Sequence, residues 1–117
     1  MAINPKFVKL LTAIRDATAH GRVTWSETLD EDTFRVILDR AVVRIGREYD
    51  EYANSIHVVA RLADKTGVVL DEISTANIED DEVLSLLRAV YDMARSRVLK
   101  VDELLDSLIS EVETREP

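Results

Sequence analysis

The spacing of the apolar residues changes twice along the chain, and this change restricts the fold more than any other feature of the sequence. Apolar side chains recur every three or four residues up to His20, alternate between Arg22 and Ile73, and return to the first spacing after Glu82. A period of 3.6 residues predicts a helix with one apolar side, whereas a period of two predicts strands. The order therefore predicts an α+β fold in which a helix precedes a sheet and further helices follow it.

The first helix has both a start signal and a stop signal. Asn4 can accept hydrogen bonds from unpaired backbone N–H groups, and Pro5 has no N–H that would need a partner. Gly21 readily adopts the left-handed backbone that ends many helices. We predict a helix from Pro5 to His20. Its apolar stripe consists of Phe7, Leu10, Leu11, Ile14 and Ala17.

The middle of the chain consists of alternating segments separated by short turns. We predict strands at 22–25, 33–38, 42–45, 56–62 and 68–73. The Asp64-Lys65-Thr66-Gly67 segment predicts a type I turn with Gly67 at the position that needs a positive φ. Because short connections favour antiparallel neighbours, we expect an antiparallel meander sheet of four to five strands. Whether 22–25 pairs fully into the sheet is left open.

Two helices are predicted to close the chain. The first begins after the acidic residues 79–82 and ends near the basic residues Arg95, Arg97 and Lys100, as the helix macrodipole favours. Its stripe consists of Val83, Leu87, Val90, Tyr91 and Ala94. The second helix has Asp102 as its expected cap and a stripe of Leu104, Leu105, Leu108, Ile109 and Val112. We expect both to pack with the first helix on one face of the sheet, so that residues 1–117 form a single domain.

Composition excludes several classes of protein. Hydrophobic residues make up 46% of the chain and charged residues 32%, which is typical of a folded globular domain. The chain has no cysteine, so disulfides, thiolate metal ligands and cysteine catalysis are excluded. The sequence shows no secretory signal pattern and no apolar run long enough to span a membrane, so we expect a cytoplasmic protein with no membrane partner.

The negative charge is confined to one part of the chain. Residues 1–70 contain ten acidic and ten basic residues, whereas residues 71–117 contain thirteen acidic and five basic residues, which accounts for the net charge of −8. Binding along a phosphate backbone requires clustered lysine and arginine. We therefore expect no broad binding along nucleic acid, whereas a local basic face elsewhere in the chain stays compatible with the sequence.

No group of residues predicts catalysis or ligand binding by its spacing. His20 stands at the end of the first helix, where an imidazole can cap carbonyl groups, and His57 lies in the middle of a strand. These two histidines are too isolated to predict a zinc site. The acidic runs 30–32 and 79–82 fit a turn and a helix start better than a metal site. We predict no catalytic residue, no metal site and no cofactor.

Trp25 is the only tryptophan, and it lies beside polar residues. We expect it to seal the first helix onto the sheet, although tryptophan is also common at the centre of protein interfaces. Tyr49 and Tyr52 flank the acidic residues 50–51 in a predicted loop. They either cover the end of the sheet or contact a partner.

The outward side of the predicted sheet has an unusual composition. If the residues that alternate with it face the helices, this side carries Arg35, Ile37, Val42, Arg44, His57, Val59 and Arg61. A solvated face of an antiparallel sheet normally carries polar residues, whereas mixtures of arginine and apolar residues are typical of protein interfaces. We predict that these seven residues form an interface. A plain solvated face and an anion-binding or nucleic-acid-binding surface are the alternatives.

Several of these elements resemble a group of small uncharacterised bacterial α+β proteins. The shared features are Gly21, Trp25 and Thr28 after the first helix, Phe34 at the head of a strand, the Asp64–Gly67 hairpin, Tyr91, Ala94-Arg95 and Val101-Asp102. The resemblance covers roughly residues 7 to 113. It implies a common fold and carries no known activity, so no functional residue can be transferred.

Two classes of function are compatible with these observations. We expect a non-enzymatic interaction or regulatory module that forms a homodimer through the outward side of the sheet, with an unidentified protein as another possible partner. The alternative is a small-ligand or enzymatic domain with a pocket between the sheet end and the second helix. Such a pocket would use Arg44, His57, Arg61 or Tyr91. A small acidic inhibitor of a basic protein is a third hypothesis.

Overall fold

The structure is a computed structural model that describes residues 3–115, apart from the side chain of Asp102. The helices are α1 (Pro5–Ala19), α2 (Asp81–Leu99) and α3 (Val101–Thr114). The strands are β1 (Trp25–Glu27), β2 (Thr33–Ile37), β3 (Ala41–Asp50), β4 (Ser55–Asp64) and β5 (Val69–Ser74), and a short 3₁₀ turn follows at Thr75–Asn77. The predicted α+β fold is confirmed.

The five strands form one sheet in the order β1-β2-β3-β4-β5, and every neighbouring pair is antiparallel. The predicted meander is therefore confirmed. The turn between β4 and β5 is also the predicted one, because the Gly67 N–H donates to the Asp64 carbonyl oxygen at 3.1 Å and Gly67 has a φ of 96°.

The first strand begins later than the sequence predicts. The Asn4 side chain accepts from the Lys6 N–H at 2.9 Å and starts α1, as predicted. At the other end Gly21 has a φ of 69°, and the Arg22 N–H donates to the Ala17 carbonyl oxygen at 2.8 Å. Because Arg22 still belongs to the helix cap, the prediction of a strand at 22–25 is wrong. The sheet begins only at Trp25.

The β3–β4 hairpin is longer than predicted. Both strands continue past the alternating apolar residues until Asp50, whose side chain accepts from the backbone N–H groups of Tyr52 and Ala53 in the turn. Tyr49 therefore lies in a strand and Tyr52 in a turn. The sequence does not predict this extension, because the apolar alternation stops before the hairpin end. Both sides of the sheet are exposed to solvent there, so polar residues occur on both.

The core lies between the sheet and the helices α1 and α2. Leu11 of α1, Leu87 of α2 and Ile45 of β3 are completely buried. On β5, Ile73 lies opposite Ala60 and inside the core, and the register shifts only beyond Leu62, where Ala63 pairs with Val69. Ile56 lies on the same inner side, as alternation along β4 predicts, but it is not part of the core. It pairs with Tyr49 near the hairpin turn and is 62% exposed.

The helix α3 does not pack on the sheet. Its apolar residues are exposed, which contradicts the expected burial of both closing helices on one face. Lys100, with a φ of 53°, separates α3 from α2. The radius of gyration is 16.4 Å, whereas a compact domain of this length would have about 13 Å. The long dimension of 61 Å is consistent with a helix that extends from the body.

The expected helix cap at Asp102 is also wrong. The structure begins α3 at Val101 after Lys100, so Asp102 lies inside the helix. Any role of its side chain falls outside the described residues.

Candidate functional site

All seven residues of the predicted interface lie on the same side of the sheet. We call this side, opposite to α1 and α2, the outer face. The register places Arg35 opposite Arg44 and Arg44 opposite Arg61, while Ile37 is opposite Val42. The residues that alternate with them along each strand point to the inner face, where the buried residues lie, because successive side chains of a strand point to opposite sides of the sheet. His57 and Val59 belong to the outer face for the same reason.

Arg61 is neutralised within the molecule. Its Nη1 lies 2.6 Å from Glu48 Oε2, and its Nε lies 3.3 Å from Glu72 Oε2. Hydrogen bonding to Glu48 raises the pKa of the Arg61 guanidinium, with the Coulomb attraction of both carboxylates added, against the opposing effect of partial burial. Arg61 therefore stays charged and contributes little free positive charge to the face.

Arg35 and Arg44 have no such partners. Among the residues that the structure describes, no carboxylate lies within ion-pair distance of either side chain. On the same face lie Ile37, which is 54% exposed, the half-buried Val42, and Val69, which is 44% exposed and lies two strands from Val42 on the far side of Ala63. We call these five residues the arginine patch. They combine free positive charge with exposed apolar surface.

Val59 does not belong to the exposed surface. Only 5% of it is accessible, although α1 and α2 lie on the other side of the sheet. Its neighbours across the sheet are Gly46 on β3 and Ser74 on β5. Val59 is a predicted interface residue, but the structure leaves it almost no accessible apolar surface. Gly46 itself is required by a close approach, because a Cβ atom there would lie 2.9 Å from the Asp32 carbonyl oxygen.

His57 has polar neighbours but no catalytic arrangement. Its Nε2 lies 3.0 Å from Ser55 Oγ and 3.8 Å from Asp50 Oδ2. A serine and an acid that share a base must approach different ring nitrogens for the acid to orient the base. Here both lie at Nε2. The geometry does not support nucleophilic catalysis by Ser55.

The structure does not bring together all four residues predicted for the alternative pocket. Tyr91 projects from α2 into the core, where its ring centre lies 6.1 Å from that of Phe34. Arg44, His57 and Arg61 lie on the other side of the sheet. The sheet therefore separates Tyr91 from the three remaining residues.

Sequence reasoning missed the partner of Tyr91. The guanidinium carbon of Arg47 lies 5.3 Å from the centre of the Tyr91 ring, and Arg47 also donates to Asp32 Oδ2 at 2.9 Å. The hydrogen bond to Asp32 raises the pKa of Arg47. No pattern in the sequence pairs Arg47 with Tyr91, since they are far apart in the chain.

Three local interpretations are confirmed. His20 Nδ1–H donates to the Asp16 carbonyl oxygen at 2.8 Å and so caps α1. Trp25 is buried, and its indole N–H donates to Thr18 Oγ1 at 3.0 Å, so it ties α1 to the sheet. Asp80 accepts from the Glu82 N–H at 2.9 Å at the start of α2. Within residues 3–115, apart from the Asp102 side chain, no cluster of three or more metal-ligating residues occurs.

The apolar side of α3 is a second exposed surface that the sequence did not reveal as one. We call it the α3 stripe. It consists of Leu104, Leu105, Leu108, Ile109 and Val112, all of them exposed. The segment 101–114 contains five acidic residues and no basic residue. This charge imbalance beside an apolar stripe is the signal that could have indicated a surface helix.

The fold defines the chain as an α+β protein with a five-stranded antiparallel sheet. Comparisons with protein-family models, curated proteins and solved structures find no match. The resemblance to small bacterial α+β proteins therefore stays a prediction. None of the described helices is both long and apolar enough to cross a membrane.

Proposed function

We propose that this protein is a non-enzymatic interaction module that forms a homodimer through the outer face of its sheet. The observation that carries the proposal is the arginine patch, in which Arg35 and Arg44 have no described ion-pair partner and lie beside the exposed Ile37. Arginine next to aliphatic side chains is enriched in protein interfaces. A cytoplasmic location, as expected from the sequence, is part of this proposal.

The charge of the face favours a protein partner over nucleic acid. Arg61 is already paired with Glu48 and Glu72, so Arg35 and Arg44 alone supply free positive charge in the arginine patch. Two such charges are few for a surface that follows a phosphate backbone. A protein surface with carboxylates fits them better.

The test is Ile37→Glu, measured by sedimentation equilibrium over a range of protein concentrations. A carboxylate at this position would replace the apolar contact of Ile37 and would compete with the partner's carboxylates for Arg35 and Arg44, so we expect the variant to stay monomeric where the wild type dimerises. Ile37 is a better position for this test than Val59, because Val59 is already buried within one copy.

The matched control is Ile56→Glu. Ile56 is another exposed isoleucine of the same sheet, but it lies on the inner side near the β3–β4 turn. We expect this variant to dimerise like the wild type. A wild type that stays monomeric at high concentration would contradict the proposal, and so would equal association of both variants.

A further inference from the structure

We propose that the arginine patch of one copy binds the α3 stripe of a second copy, and that the contact is reciprocal. This inference rests on the proposed function, because it names the surface that covers the outer face. Two-fold symmetry would place each α3 on the arginine patch of the other copy.

The first argument is that α3 needs a covering surface. A helix of 14 residues is marginal in water by itself, and most of the stability of a short helix comes from packing of its apolar side. In this molecule the α3 stripe is exposed over its whole length. The helix is therefore a segment whose partner lies outside its own copy.

The second argument is charge complementarity. Asp106 and Glu113 lie three residues before and four residues after Ile109, so both flank the α3 stripe on one edge. Both are exposed, and among the described residues neither takes part in an ion pair. Arg35 and Arg44 are the free cations of the arginine patch. Apolar residues can then meet apolar residues while carboxylates reach the two guanidinium groups.

The same charges disfavour a coiled coil between two copies of α3. The segment 101–114 has five acidic residues and no basic one, so two such helices would repel each other along their length. The sheet face supplies the opposite charge.

The short connection between α2 and α3 keeps α3 from docking on the outer face of its own copy. α2 lies on the inner side, and Arg97 near its end donates to the Thr18 carbonyl oxygen of α1 at 3.1 Å. Only Lys100 separates α2 from α3. One residue spans about 3.5 Å, whereas layers of a protein are about 10 Å apart, so α3 cannot pass around the sheet edge.

The experiment compares charge reversals in the full chain by sedimentation equilibrium. Asp106→Arg combined with Glu113→Arg should weaken dimerisation about tenfold or more, because four like charges would meet in each contact. The matched control is Ser110→Arg combined with Thr114→Arg, which places two arginines on the opposite side of the same helix. It should change the dissociation constant by less than about threefold.

The decisive variant restores the charge pairing. Reversing both arginines, with Arg35→Glu and Arg44→Glu, in the Asp106→Arg and Glu113→Arg background should return the dissociation constant to within about threefold of the wild type. Far-UV circular dichroism of every variant at the same dilution shows whether the helices are retained. Where a variant loses helix content, the milder pair Asp106→Asn and Glu113→Gln replaces it, with a smaller weakening expected.

The outcomes separate this inference from the proposed function. If Ile37→Glu abolishes dimerisation while the α3 reversals have no effect, the outer face is the interface but α3 is not its partner. Failure of the four-residue variant to restore binding also overturns the inference. If Leu105→Glu abolishes dimerisation and Ile37→Glu does not, the helices pair with each other and both proposals fail. A wild type that stays monomeric and is more compact than the structure would show that α3 docks on its own copy, which also overturns the inference.

Discussion

The hydroxyl group of Tyr91 is buried and has no hydrogen-bond partner among the described residues. An unsatisfied buried polar group opposes folding. We expect Tyr91→Phe to leave the free energy of unfolding unchanged or to raise it by up to about 1 kcal/mol. Tyr91→Leu, which removes the ring under Arg47, should lower it by about 1 to 2 kcal/mol. Urea unfolding of both variants decides this, and a clear loss of stability in Tyr91→Phe would reveal a partner for the hydroxyl.

Because of Tyr91, we expect the free energy of unfolding to fall at alkaline pH. Burial raises the pKa of the Tyr91 phenol, so the folded state retains its proton to higher pH than the unfolded state. The contribution of this phenol to the free energy of unfolding is fully present below the pKa of about 10 that it has in the unfolded state. It is lost as the pH rises through the higher pKa of the folded state. In urea melts between about pH 9 and pH 11, the wild type should therefore lose more stability than Tyr91→Phe. Parallel pH profiles would contradict a buried phenol.

At the scale of elements, the three apolar stripes differ in what they contact. Leu11 of α1 and Leu87 of α2 are fully buried, whereas Leu105 of α3 is half exposed. We expect Leu11→Ala and Leu87→Ala to lower the free energy of unfolding by about 2 to 5 kcal/mol, because each leaves a cavity. Leu105→Ala should change it by no more than about 0.5 kcal/mol.

These substitutions are best measured in the Ile37→Glu background. Dimerisation would otherwise add its own stabilisation, which depends on protein concentration. Urea melts of the three variants supply the values. A loss of about 2 kcal/mol or more in Leu105→Ala would mean that α3 packs on its own body after all.

At the scale of the whole molecule, the extended α3 determines the shape. The monomeric Ile37→Glu variant should have a radius of gyration near 16.4 Å in small-angle X-ray scattering at high dilution. A value near about 13 Å would correspond to a compact domain with α3 folded onto the body. The Ile56→Glu control should change from the same value toward a larger one as concentration rises, because it retains the arginine patch.

The sequence by itself determined the elements and the order of the sheet. Local signals suffice for these features, since Asn4, Gly21 and Gly67 act on their immediate neighbours and the periods of 3.6 and 2 are properties of single elements. Short turns then left the antiparallel meander as the simplest topology. The side of the sheet on which Arg35 and Arg44 lie also follows from alternation.

Only the tertiary structure decided which apolar stripes are covered and which charges are free. The stripes of α2 and α3 have similar patterns, but a pattern shows that a helix needs cover and not which surface supplies it. Likewise, Arg44 and Arg61 are equivalent in sequence. Arg61 is neutralised because Glu48 and Glu72 happen to lie within reach across neighbouring strands. Such contacts join residues that are distant in the chain, so they depend on register and packing and cannot be derived from local spacing.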